Sequence, residues 1–242
     1  MKSSYKNKKE FIFGSFVYSY NLIKQDRKTL SLTVTPNLEI YVKTPYKVDD
    51  ERIETFLKRK WFWLEKQLSF FGKYKRKKYK REYISGESLR YLGKQHKLIV
   101  KNSREDKVVL FRGILLVYST KKITNSLYTK KLISDWYNIK SNLIFNERFK
   151  EVSKNFDYKD MPTLGFREMK LRWGSFMSKN KVLLNPKLIY TSKDCIDYVI
   201  THEMCHVKYK NHNKRFFDFL NTKYPNWEKT KEKLEITGSL IQ

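Results

Sequence analysis

Between residues 11 and 46 apolar and polar positions alternate in short bursts: Phe11-Ile12-Phe13, Val17-Tyr18, Leu30 to Val34 and Leu38 to Val42. A period of two predicts strands, and Gly14, Gln25-Asp26 and Pro36-Asn37 punctuate them into a β meander with a hairpin at Pro36-Asn37. Pro45 ends the last strand. From Asp49 the period lengthens, with Ile53, Phe56, Leu57, Trp61, Leu64 and Leu68 at helical spacing. A helix over about 49–71 follows, with lysine and arginine on its polar side. Beyond a basic, tyrosine-interleaved connector (71–82), strands return at Ser88–Leu92, Leu98–Val100, Val108–Phe111 and Ile114–Tyr118. They turn at Gly93-Lys94-Gln95 and at Arg112-Gly113. Leu132, Ile133, Trp136, Tyr137 and Phe149 mark a helix over about 125–154. Two strands, Leu164–Met169 and Lys181–Leu184, flank Arg172-Trp173-Gly174-Ser175, and helices close the chain. The pattern predicts an α+β protein: an N-terminal β-rich region over 1–122 with one long helix, then a helical half with a small sheet over 123–242. No internal repeat is visible.

The last third holds the chemistry. Three of the four histidines fall in one eleven-residue window, as Thr201-His202-Glu203-Met204-Cys205-His206 followed by His212. On a helix His202 and His206, four residues apart, project to one side, so both imidazoles can reach one Zn²⁺. Glu203 then stands beside the open coordination position as a general base. Thr191 to Asp194 reads as a capping-box-like start, and Lys208 and Lys210 lie at the favoured end for cations. Around the axis Ile196, Ile200, Met204 and Val207 form an apolar stripe; Asp197, Thr201 and Lys208 form a polar one. His212 cannot continue the face of a straight helix. The chain must therefore turn near Tyr209 or Lys210, with Asn211 as a left-handed residue and Asn213 capping the next helix. His96 stands alone in a turn and reads as structural.

Composition narrows the setting. The chain has 242 residues, 40% of them apolar, which is enough for a core. Lys and Arg number 52 against 25 Asp and Glu, a net charge of +27 that attracts polyanions such as nucleic acid or phosphate compounds. The connector, with aromatics among cations, would suit a single strand. Cys195 and Cys205 lie about 15 Å apart on one straight helix, beyond disulfide reach, so reduced thiols and a cytoplasmic setting are expected. No run is long and apolar enough for a signal peptide or a membrane span.

Arg172-Trp173-Gly174-Ser175, Val182-Leu183-Leu184-Asn185-Pro186, Ile196-Asp197-Tyr198-Val199, His202 to His206, Asn211-His212 and Phe216-Phe217 follow in the order seen in the YgjP-like metallopeptidases, relatives of the SprT-like zinc proteases. Thr44-Pro45, Ile53 to Trp63, Tyr91 to Gly93 and Trp136-Tyr137 extend the resemblance over nearly the whole chain. Phe176 departs from it, since relatives often carry Cys after the Arg-Trp-Gly-Ser run. The resemblance implies a zincin-like catalytic half, a zinc ion on His202, His206 and His212, Glu203 as general base, and a peptide or protein substrate. In such hydrolases the strand before the metal helix edges the cleft, here Val182 to Asn185, and the helix over about 125–154 backs the metal helix. Arg172 could pair with a substrate carboxylate or phosphate, or sit over Trp173. Nucleoside triphosphate pyrophosphatase activity, attributed to a YgjP-type protein, is the alternative, with a nucleotide as substrate. A nucleic-acid-binding protein with a structural zinc is a third reading.

Overall fold

The computed structural model describes residues 6–35, 37–74 and 81–241. Contacts divide the chain into two compact units, the first reaching Lys77 and including Gly238–Leu240, the second running from Lys78 to Thr237.

In the first unit β1 (Lys6–Phe13), β2 (Phe16–Lys24), β3 (Ser31–Val34) and β4 (Ile40–Thr44) precede helix α1 (Asp50–Tyr74). The strand order is β1-β2-β4-β3, with β2 and β4 parallel and Tyr20 beside Ile40. The predicted meander is therefore corrected: β4 returns between β2 and β3. Alternation specifies that a stretch is a strand and which face is apolar, but not which neighbour it pairs with. Of the expected Pro36-Asn37 turn, Pro36 lies outside the described residues. Tyr20, Leu22, Ile40 and Val42 meet Ile53, Leu57, Leu64 and Phe71 of α1 in one core, each such buried side chain contributing about 1.5–3 kcal/mol. The Asp49 carboxylate accepts from Arg52 N–H at 2.9 Å and starts α1. Trp61 donates to the Tyr18 hydroxyl at 2.9 Å, which donates to Glu65 at 2.6 Å.

The second unit opens with β5 (Ser88–Tyr91), β6 (Lys94–Asn102), β7 (Lys107–Phe111), β8 (Ile114–Ser119) and helix α2 (Ser126–Ser153). Its order, β5-β6-β8-β7 with β6 and β8 parallel, is that of the first sheet. Two hairpins followed by a helix thus occur twice, a repeat of topology that the sequence hides. Arg112 and Gly113 both have positive φ, as the two-residue hairpin requires. Leu89, Leu98, Leu115 and Val117 share a core with Ile133, Trp136 and Phe145 of α2. This is why the second unit begins well ahead of residue 123.

A small sheet follows, of β9 (Thr163–Phe166), β10 (Gly174–Met177) and β11 (Lys181–Leu184), in the order β10-β11-β9. A 3-10 turn (Pro186–Tyr190) leads to α3 (Lys193–Cys205), α4 (Lys214–Lys223) and α5 (Trp227–Ile241). The β5–β6 hairpin holds the approach to α3: Leu92 N–H donates to the Ile189 carbonyl at 2.9 Å and Gly93 N–H to that of Tyr190 at 3.3 Å. A Cβ on Gly93, already at φ +83°, would stand 3.2 Å from the Ser192 backbone. Only glycine meets both demands. Among the described residues no helix is long and apolar enough to cross a membrane.

Candidate metal centre

Helix α3 begins after Ser192 without the side-chain cap that its sequence suggested: the Thr191 hydroxyl donates instead to the Leu188 carbonyl at 2.8 Å. Of its expected polar stripe, Lys208 is exposed while Asp197 and Thr201 are shielded. Thr201 is buried and bonds the Asp197 carbonyl at 2.8 Å, while Arg148 of α2 grips Asp197 bidentately at 2.6 and 2.7 Å. Helix α2 therefore does back α3, through an ion pair as well as apolar packing.

Helix α3 ends at Cys205, earlier than the spacing predicts, with His206 as its C-cap. The turn is secured by Tyr209: its N–H donates to the Cys205 carbonyl at 3.0 Å, and its carbonyl lies 2.9 Å from His206 Nδ1. Asn211 is not among the residues with positive φ. Asn213 does cap α4, accepting from Phe216 N–H at 3.0 Å. The turn returns His212 to the other histidines, with Phe216, fully buried, packing 4.7–5.0 Å from all three rings.

The ligand atoms of His202, His206 and His212 lie within 4.8 Å of one another. His202 Nε2 and His212 Nε2 are 2.9 Å apart, compared with roughly 3.3 Å for two imidazole nitrogens on a tetrahedral zinc with Zn–N bonds of about 2.0–2.1 Å. Burial, with the charges of His212 and His206 added, lowers the His202 pKa to about 3; burial also lowers those of His206 and His212. Three neutral imidazoles are thus held as electron-pair donors. The Tyr209 carbonyl takes the Nδ1–H of His206, which leaves its Nε2 free for a metal, as outer partners of metal histidines do. Buried His202 Nδ1 has no partner among the described residues. The donor set fits a zinc ion or a similar divalent metal.

Glu203 is 8% exposed and stands against β10. Burial raises its pKa to about 7, opposed by a hydrogen bond from Phe176 N–H and by the charge of Arg172. The strand of the small sheet nearest this carboxylate is therefore β10. Val182 to Asn185, the edge expected from the sequence, belongs mainly to the central strand β11, paired on both sides. The correction has the same origin as in the first sheet: the apolar run Val182-Leu183-Leu184 marks a strand buried on both faces, which is the signature of a middle position. Asn185 acts instead as a brace. Its buried amide donates to the Met169 and Arg172 carbonyls at 2.7 and 2.9 Å, and its N–H to that of Trp173 at 2.8 Å. That fixes the loop leading into β10.

These groups line a cleft of about 750 Å³, whose walls include Arg172, Trp173, Ser175, Tyr198 and Lys210. Lys231, Leu234 and Glu235 of α5 complete it. Beyond the helical period, nothing in the order of residues points to these three. The Arg172 guanidinium has no hydrogen-bonded or ionic partner among the described residues. The cation contact over Trp173 that its position suggested is not formed among them. Cys195 and Cys205 are free and buried. His96 lies in β6, outside the cluster.

Three imidazoles and a carboxylate in one open cleft of an α+β fold form the donor set of a hydrolytic metal site. The family model described as YgjP-like, metallopeptidase domain, matches residues 28–237, and the chain belongs to the YgjP-like family. No curated protein matches it significantly. Among solved structures it resembles the metallopeptidase zymogen jannalysin of Methanocaldococcus jannaschii, with 25% identity, a TM-score of 0.35, and coverage of 40% of this chain and 97% of that one. It also resembles the metallopeptidase zymogen abylysin of Pyrococcus abyssi, with 17% identity, a TM-score of 0.33, and coverage of 37% and 87%.

Proposed function

We propose that the chain is a zinc-dependent peptidase in which His202, His206 and His212 hold the metal and Glu203 is the general base. The observation that carries this reading is the convergence of three imidazoles beside a buried carboxylate at the wall of an open cleft. Bound zinc would supply Lewis acidity, acidifying water and polarising the scissile carbonyl. Glu203 would take a proton from the attacking water and pass it to the leaving amine. A carboxyl whose pKa lies near 7 suits both directions of transfer. The free edge of β10, apart from the Phe176 N–H held by Glu203, would pair with an extended peptide, as exposed strands do. Arg172, uncommitted and close enough for its charge to act on Glu203 and His212, would hold a substrate carboxylate or the developing oxyanion.

The cations Arg172, Lys210 and Lys231 around the cleft also favour a second reading, hydrolysis of a nucleoside triphosphate at a phosphoanhydride. Incubating the metal-loaded protein with unfolded casein and separately with nucleoside triphosphates distinguishes the two. Peptide products that vanish in Glu203→Gln support peptidase action; release of pyrophosphate alone replaces it with the nucleotide reading. Zinc bound without turnover of either would leave a structural role.

A further inference from the structure

Along α1 the positions 52, 59, 66 and 73 hold Arg52, Arg59, Lys66 and Lys73, each seven residues from the next and all exposed. At about 100° per residue the four fall within roughly 60° of arc, away from Ile53, Leu57, Leu64 and Phe71, which are buried against the sheet. On the flanks of this ladder, between Arg59 and Lys66, stand Phe62 and Trp63, 77% and 40% exposed. The acids of the same helix are engaged elsewhere or lie apart. Asp50 pairs with Lys9 at 2.5 Å, Glu54 with Lys58 at 2.8 Å, and Glu65 accepts from Tyr18 at 2.6 Å. Glu51 sits in the first turn, where the helix dipole favours it. None of the four ladder cations has a carboxylate partner among the described residues.

Exposed aromatic faces set among unpaired cations offer stacking and phosphate contacts on one surface. We propose that this face of α1 binds single-stranded nucleic acid, with phosphates on the cation ladder and bases stacked on Phe62 and Trp63. The ladder spans about 32 Å at 1.5 Å per residue, enough to track a few nucleotides, the scale of single-strand sites. Duplex is a poorer fit, because its base faces are hidden in its own stack. An anionic membrane is poorer too: an interfacial helix must offer its apolar face to lipid, and that of α1 is already spent on the sheet. The net charge of +27 supplies long-range attraction, and Phe62 and Trp63 supply the preference for unpaired bases. This surface is independent of the metal and of the peptidase reading.

The test is fluorescence anisotropy with the full chain and a labelled oligothymidylate, a labelled duplex of equal length, and phosphatidylserine vesicles, each over a salt series. The single strand should bind more tightly than the duplex. Phe62→Ala with Trp63→Ala should weaken it by roughly tenfold or more with the salt slope unchanged. Arg59→Ala with Lys66→Ala should reduce the slope of log affinity against log salt by about 1.4. Both pairs are exposed, so circular dichroism and peptide hydrolysis should be those of the parent. Equal affinity for duplex and single strand, indifference to loss of the aromatics, or vesicle adsorption as the sole property that the variants lose would each overturn the proposal.

Discussion

A Cβ placed on Gly174 would stand 2.7 Å from Glu203 Cγ and 2.8 Å from Oε1, closer than packed side chains approach. The glycine of the Arg172-Trp173-Gly174-Ser175 run thus makes room for the carboxylate, while Phe176 N–H two residues on bonds it. Gly174→Ala should push the carboxyl out of position, and a displacement of about 1 Å costs on the order of 100-fold in rate. Metal content should be unchanged, because the atoms crowded most belong to Glu203 and Val199. Hydrolysis assays and metal analysis of the variant check both halves.

Glu203→Gln removes the proton acceptor and keeps the shape. Peptide hydrolysis should fall by about 10²–10⁴-fold, with zinc retained. Residual activity within threefold of the parent would remove Glu203 from the reaction.

How much of this was legible in the sequence depended on whether a residue's role was local. Four-residue spacing places His202 and His206 on one side of any helix, so the pair could be read directly, and the return of His212 follows from the polar turn and the Asn213 cap. The brace from Asn185, the space beside Gly174 and the cleft wall from α5 are contacts between distant segments, which no periodicity encodes. Strand pairing failed for the same reason in both places, at β4 and at β11. The polar stripe of α3 is legible as polar, but that Asp197 in it meets a largely shielded cation is not, because Arg148 lies 49 residues away. The shared topology of the two four-stranded sheets survives without a sequence repeat, since apolar alternation can be met by many residues.

Removing the metal should abolish activity and lower the melting temperature. A ligand at 100 times its Kd stabilises the folded state by about 2.7 kcal/mol. Treatment with a chelator, re-addition of zinc, and the same melt on His206→Ala provide the test; the variant should match the chelated parent and gain nothing from zinc.

Both thiols should be silent in the native protein. Burial raises the Cys195 pKa and pushes that of Cys205 up to about 12, so between pH 7 and 9 the reactive thiolate is scarce as well as enclosed. Titration with a thiol-reactive disulfide should find none of the two groups before unfolding and both in guanidinium chloride. Raising the pH toward 9 should speed a model thiol and leave the native chain unchanged.

The Arg148–Asp197 pair joins α2 to the metal helix with both side chains largely shielded, 22% and 17% exposed. Removing one partner leaves a desolvated charge without its counter-ion, so Asp197→Ala and Arg148→Ala should each cost about 2–4 kcal/mol. Replacing both, as Arg148→Met with Asp197→Leu, removes the two desolvation penalties together and should cost less than either single change. Urea unfolding of the metal-free proteins measures the cycle without a contribution from zinc. If the double variant were destabilised by the sum of the singles, the pair would have no coupling, and α2 would hold α3 through apolar packing alone.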